Sequence, residues 1–539
     1  MTLVVALCAL VVGIVPQQAH ADWRSLTGRF PKFTDRVDFQ ISPDSKWVAF
    51  TADKDTDNVT ELYSVPITGT TPIKLNATLA AGGAVRSFQF TPDSQFVIYT
   101  ADQEVSNRIE LYRVPVGGGA AVKLNGALVS GGNVSNLFKI DGKNGRIVYV
   151  ADQQTNEVFE LWSVPIAGGA AVKLNGTLVT GGKVNTFLID PLSNRVVYSA
   201  KQDSATIYEL YSVPIVGGAF VKLNPPIALT GGGDDGLCCE FALDPIVPIV
   251  VFIARESGSP GGKVYSIPTA GGTLNQLSFD LLSTQRILSF RISPGGDRVV
   301  FNVGTRNGAT NAFKRNLYSA LIGGGGAADL TEPADPTFGV DLADYQLTPD
   351  GKYVVYGYQQ NAASIRRLES ATTGTGLRAT LYAPGASDPP LGFYRFSPDS
   401  QWVMYQDTAS GLPDRMHTLP PTGGNATNFG PSAFKFITPD TSRIAYTHVV
   451  SPTAHTTDLF SAQIFGGDER NLSGMNGAGY VLDADVTRDG KWIVYDVQIE
   501  GQYDLRVSDG QPAQLSATPT PVPTATPARR FLNLPIVTR

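Results

Sequence analysis

A chain of 539 residues with 42% hydrophobic and 17% charged side chains has the make-up of a globular protein. Its net charge of −6 and pI near 5.4 lack the clustered Lys and Arg that phosphate recognition needs, so no nucleic-acid partner is expected. With 56 Gly and 36 Pro, turns must be frequent, which favours many short strands.

Met1 to Ala21 carries no charged side chain, runs apolar from Leu3 to Val15 and ends in Ala19-His20-Ala21, the small-x-small pattern of a signal-peptidase site. Residues 1–21 therefore read as an export signal, although Met1-Thr2 lacks the usual Lys or Arg. Leu7 before Cys8 argues against lipidation. The apolar run is too short to span a bilayer, and no later stretch is long enough to anchor the chain, so no transmembrane helix is expected after cleavage. The expected location is outside the cytoplasm: periplasmic, on the cell surface or secreted.

From Val37 onward one block recurs. In the first copy Val37 to Ile41 meets the turn Ser42-Pro43-Asp44-Ser45, and Lys46 to Ala52 follows as a second strand. Pro presets the backbone for such a turn, while Ser and Asp can bond the local amides. A third strand, Thr60 to Val65, stops at Pro66, which cannot donate to a ladder, and Pro72 to Asn76 makes a fourth. The third strands of the first four copies are nearly superimposable. They open on Glu61, Glu110, Glu160 and Glu209 and end on Pro66, Pro115, Pro165 and Pro214.

The second strands, such as Phe96-Val97-Ile98-Tyr99 and Ile147-Val148-Tyr149-Val150, are apolar at nearly every position, which suits a sheet covered on both faces. Four antiparallel strands stacked between copies of themselves describe a blade of a β-propeller. First hairpins centred on Pro43, Pro92, Asn144, Ser193, Pro245, Pro294, Pro349, Pro398, Pro439 and Asp489 give ten copies, the later ones more diverged and the seventh and eighth the faintest. The expected fold is all-β: ten four-stranded antiparallel blades over residues 22–516. One large ring ranks ahead of two smaller rings divided near residues 278–287.

Several features invite a chemical reading. Asp53-Lys54-Asp55-Thr56-Asp57-Asn58 has the alternating acids of a calcium loop, but Asn58 stands where Gly belongs and Ser64 where the bidentate Glu belongs; a polar hairpin loop ranks ahead. Lys74, Lys123, Lys173 and Lys222 recur in the fourth strands. They read first as guards of an exposed sheet edge and second as a basic arc for anionic glycans or lipids. The four repeated Glu residues are expected to pair across strands. Cys238 and Cys239, adjacent and alone after signal cleavage, read as small buried hydrophobes ahead of a strained vicinal disulfide. His417, His448 and His455 fall in different places, so scattered histidines rank ahead of a metal site. The loops Gly304 to Arg315, Gly357 to Arg366 and Asp407 to Arg415 are the expected carriers of specificity. Residues 517–528 form a Pro/Thr-rich spacer and 529–539 an apolar, basic tail, read equally as an attachment element or a frayed end.

The strand, Ser-Pro-Asp turn and aromatic strand from Val37 to Ser516 resemble the TolB-like propellers built from WD-like repeats. That resemblance implies protein or peptide recognition in the bacterial cell envelope, or repeats that precede a peptidase domain. No Gly-x-Ser-x-Gly elbow or α/β segment follows here, so the peptidase relatives are not matched. Some TolB-like propellers resemble oligogalacturonate lyases, whose histidine-rich metal centre cannot be assembled from His417, His448 and His455. The expectation is thus a non-enzymatic module with no catalytic, cofactor or metal residues that binds a protein, peptide or glycan partner. The alternatives are a lyase or glycosidase acting on polysaccharide, and a structural surface protein.

Overall fold

The computed structural model describes residues 23–28, 38–224, 240–255, 261–306, 313–331, 345–358, 367–383, 391–407, 415–451, 456–475, 478–500 and 502–509. Each repeat folds into the hairpins its turns dictate. Blade 1 consists of Asp38–Ile41, Trp47–Ala52, Glu61–Pro66 and Ile73–Lys74, paired in that order. Its first turn closes when the Ser42 backbone N–H donates to the Trp47 carbonyl at 2.9 Å, and the Ser42 hydroxyl bridges to Asp44 at 2.6 Å. Ser45 takes the left-handed conformation at φ 61°, the twist that lets a tight loop feed two strands. Ser94, Ser400 and Thr441 repeat it.

Ten such blades make one ring, and every described element is a strand. Among the described residues no helix is long and apolar enough to cross a membrane. Each of the ten expected first turns joins the first two strands of a blade, the faint seventh and eighth included.

The core lies between the blades, because successive residues of a second strand face opposite neighbours. In blade 1, Val48 and Phe50 pack with Val494, Leu505 and Val507 of blade 10, while Ala49 packs with Val97 and Tyr99 of blade 2. All eight are fully buried or nearly so. The two-ring alternative fails on the same packing. Phe279 and Leu281, in the supposed divide, seal Val251 and Val264 of blade 5 against Val299 and Phe301 of blade 6.

Three features depart from the repeat as read in the sequence. The fourth strands of blades 1 to 6 and 9 are two residues long, Ile73–Lys74 in blade 1, rather than reaching Asn76. There the Asn76 side-chain oxygen accepts the Leu62 N–H at 2.7 Å, taking the place of the next backbone carbonyl, and Asn125, Asn175 and Asn224 do the same. Blades 8 and 9 share one long strand, Thr427–Ile437, whose first part is the outer strand of blade 8 and whose second part opens blade 9.

Finally, the ring is closed by the start of the chain. Trp23–Ser25 pairs with Gln502–Asp509 as the outer strand of blade 10. Ser25 donates to Asp504 at 2.6 Å, the Arg506 guanidinium lies 3.8 Å from the Trp23 ring centroid, and Arg24 reaches the Ile67 carbonyl of blade 1. Residues 1–21, Cys238 and Cys239, the middles of the three specificity loops, and the expected spacer and tail lie outside the described residues.

Candidate functional site: the channel mouth

The innermost strands of blades 1 to 8 share a pattern ahead of each turn: an aromatic residue, a variable one, an aliphatic or aromatic one, then Ser, Thr or Asp. It reads Phe39-Gln40-Ile41-Ser42 in blade 1, Phe138-Lys139-Ile140-Asp141 in blade 3 and Tyr394-Arg395-Phe396-Ser397 in blade 8. Strand alternation turns the first aromatic into the blade interface, where Phe138, Phe187, Phe290 and Tyr394 are buried. The variable residue lines the centre of the ring.

Two adjoining cavities result. One of about 880 Å³ is walled by the inner strands of blades 1 to 5, with Gln40, Gln89, Lys139 and Leu188 at the variable position. The other, about 680 Å³, is walled by blades 5 to 8, with Arg291, Gln346 and Arg395. Ala242 and Leu243 of blade 5 belong to both. Pro43, Pro92, Pro245 and Pro294 place both at the turn end of the ring.

The polar lining side chains also join blades. Gln40 donates to the Phe88 carbonyl at 2.9 Å and Arg291 to the Tyr345 carbonyl at 3.0 Å, each on the inner strand of the next blade, and Lys435 of blade 9, which lines neither cavity, makes the same link to the Leu482 carbonyl at 2.8 Å. Such bonds fix long side chains that would otherwise sweep the opening. Burial raises the Glu240 carboxyl, against the opposing pull of the Phe290 N–H and the Arg291 charge. Burial likewise raises Asp485, and Asp483 beside it adds to the effect.

The repeated charges singled out in the sequence lie away from this mouth and are spent on one another. Glu61, Glu110, Glu160 and Glu209 are buried and pair across strands with Lys74, Lys123, Lys173 and Lys222, at 3.2 Å for Lys123 and 2.9 Å for Lys173. The hydroxyls of Tyr63, Tyr112 and Tyr211 donate to the same carboxylates at 2.9 to 3.0 Å. Burial and the adjacent carboxylate push these three hydroxyls well above the ordinary tyrosine range. A basic arc is thereby neutralised.

Asp53 caps its own loop by accepting the N–H of left-handed Asn58 at 3.3 Å, and Asp102 and Asp152 do so for Asn107 and Glu157. The acids of the supposed calcium loop thus have structural work. His417 is held by Asp407 at 3.0 Å and stacked on Tyr405, whereas His448 lies against Phe460 in blade 9. His455 is outside the described residues, and among those described no cluster of three His, Cys, Asp or Glu could hold a metal ion.

Sequence reasoning missed the channel residues Lys139, Arg291 and Arg395. The signal was present two positions before each turn-opening Ser, Thr or Asp, where a changing polar residue interrupts an otherwise constant apolar pattern.

Fold and site together define a ten-bladed β-propeller with a lined central opening. No family model matches the chain, and no curated protein matches it. Solved structures similar to it include a eukaryotic initiation factor at 11% identity, covering 82% of this chain and 97% of the other with a TM-score of 0.46. An oligogalacturonate lyase in complex with manganese is 11% identical over 59% of this chain and 86% of its own, with a TM-score of 0.34. A protein assigned as TolB from Agrobacterium tumefaciens is 15% identical over 47% and 82%, with a TM-score of 0.27. Likeness this distant carries no argument about activity.

Proposed function

We propose that the protein is an exported, non-enzymatic interaction module that receives a protein, peptide or glycan partner at the turn-side mouth of its central channel. One observation carries the reading: inner strands of eight successive blades converge on two adjoining cavities where the Gln40, Arg291 and Gln346 side chains are already anchored to the backbone of the next blade. A pre-fixed lining loses little conformational freedom when a ligand arrives, which favours recognition. Residues 1–21 act as the export signal in this reading.

The test compares the native protein with an Ala242→Trp variant, which fills the boundary of the two cavities. Partner capture from native envelope should be lost in the variant at unchanged melting temperature. Undiminished capture places recognition elsewhere. Metal-dependent turnover of a glycan panel, abolished by chelator, would overturn the non-enzymatic part. Export is checked by fractionation and by N-terminal sequencing, with the mature chain expected to start at Asp22.

A further inference from the structure

We infer that the channel mouth selects an acidic peptide segment, its carboxylates held by Lys139, Arg291 and Arg395 and its apolar side chains by the aliphatic ring beside them. This rests on the channel reading above and adds a ligand class to it.

The first observation is where cations are left without a carboxylate. On the outer strands Lys74, Lys123, Lys173 and Lys222 each face a buried Glu. Among the described residues no ion pair holds Lys139 or Arg395, and Arg291 meets only the longer-range charge of Glu240. In a chain of net charge −6 this is a local reversal of sign, and a low-dielectric wall concentrates its field.

The second is geometry. Blades 3 and 8 stand five apart in a ring of ten, so Lys139 and Arg395 approach the opening from opposite sides, with Arg291 on blade 6 between them. The guanidinium of Arg291 is fixed by the Tyr345 carbonyl and lies 5.3 Å from the Tyr345 ring centroid. Arg395 donates to the Tyr394 carbonyl at 3.0 Å and lies 5.8 Å from the Phe393 ring centroid. Each Arg is thereby positioned, and a guanidinium has further N–H groups for a carboxylate. Glu240, the carboxylate that feels the Arg291 charge, accepts the Phe290 N–H at 3.3 Å, and Asp485, at the equivalent position of blade 10, lines neither cavity.

The third favours peptide over sugar. Next to the variable position, Ile41, Ile140, Ile189 and Leu243, then Ile292 and Leu347, line the two cavities, all partly exposed. Aliphatic side chains suit apolar peptide residues. The aromatic residues that border the cavities, Phe90, Phe241 and Phe290, are buried, so they leave no open ring face of the kind that stacks on a sugar.

The experiment titrates the folded full chain with three fluorescent probes: a peptide alternating Glu and Leu, its Gln/Leu counterpart, and an oligosaccharide of uronic acids. The Glu/Leu peptide should bind at least about tenfold more tightly than the other two, with affinity falling as salt rises. In an Arg291→Gln/Arg395→Gln variant of unchanged melting temperature, the preference for Glu over Gln should disappear, and Lys at both positions should restore part of it. Equal binding of the two peptides, tighter binding of the oligosaccharide, or no peptide binding overturns the inference. These outcomes leave the channel reading standing if Ala242→Trp still abolishes partner capture, and that reading falls separately if it does not.

Discussion

Replacing Leu26 by Ala tests how the ring is held shut. Leu26 is fully buried among Val48 and Phe50 of blade 1 and Val494, Leu505 and Val507 of blade 10, and its N–H donates to the Leu505 carbonyl at 2.8 Å. Leu124 holds the equivalent place in blade 2, 2% exposed, with its N–H on the Leu111 carbonyl at 2.8 Å. Truncating either should cost about 3 kcal/mol, the middle of the usual range for a buried Leu to Ala change. The consequences differ in place. The N-terminal strand can leave blade 10 without unfolding the rest, so that cost raises its opening equilibrium by roughly 100-fold. Native-state hydrogen exchange should then show faster exchange in the amides of Trp47–Ala52 and Gln502–Asp509 and little change elsewhere. Leu124→Ala should lower the melting temperature without confining its effect to one pair of blades. Exchange in Leu26→Ala that is uniform around the ring, or unaltered at blades 1 and 10, would refute this account of the closure.

Asn125→Ala leaves the buried Leu111 N–H without its acceptor and should cost about 1 to 3 kcal/mol in chemical denaturation, with Asn125→Asp recovering part. Lys123→Ala leaves the buried Glu110 carboxylate with the Tyr112 hydroxyl and the more distant Arg108 guanidinium at 3.9 Å. Because the Lys is partly exposed, the loss should be about 1 to 2 kcal/mol, and the double variant with Glu110→Gln should lose less than the sum, read from a double-mutant cycle. Acid should loosen the first turns. Against the upward push of burial, the hydroxyls of Ser42, Thr348 and Thr438 and the backbone N–H groups of Lys46, Lys352 and Ser442 hold Asp44, Asp350 and Asp440 below the ordinary carboxylate range. Each carboxyl is more acidic folded than unfolded, so its stabilisation is complete above the unfolded pKa of about 3.9 and drains away as pH falls through the folded value. Denaturant midpoints measured down the acid range should be level near neutrality and fall below about pH 4; a midpoint that rises there contradicts the assignment.

The hairpins were legible because their chemistry is local: Ser42, Pro43 and Asp44 lie side by side in sequence and in space. Outer strands were drawn too long because backbone pattern alone hides that the Asn76 side chain replaces a ladder carbonyl. Ring closure was invisible, since the Ser25 to Asp504 bond joins groups 479 positions apart. The channel residues were overlooked for another reason. Residues that repeat, such as the Glu and Lys of the first four copies, stand out in the sequence, and repetition marks what every blade needs for itself. Lys139, Arg291 and Arg395 stand at the position where the repeats disagree.

The strand shared by blades 8 and 9 bears on how force would pass through the disc. After the outer strands of blades 1, 2, 3 and 5 a turn separates one blade from the next. Between these two, Thr427–Ile437 runs without interruption from the rim to the axis as a single paired ribbon. A tug applied at the circumference of blade 8 is therefore delivered along one strand to the inner edge of blade 9, making this sector the stiff spoke of the wheel.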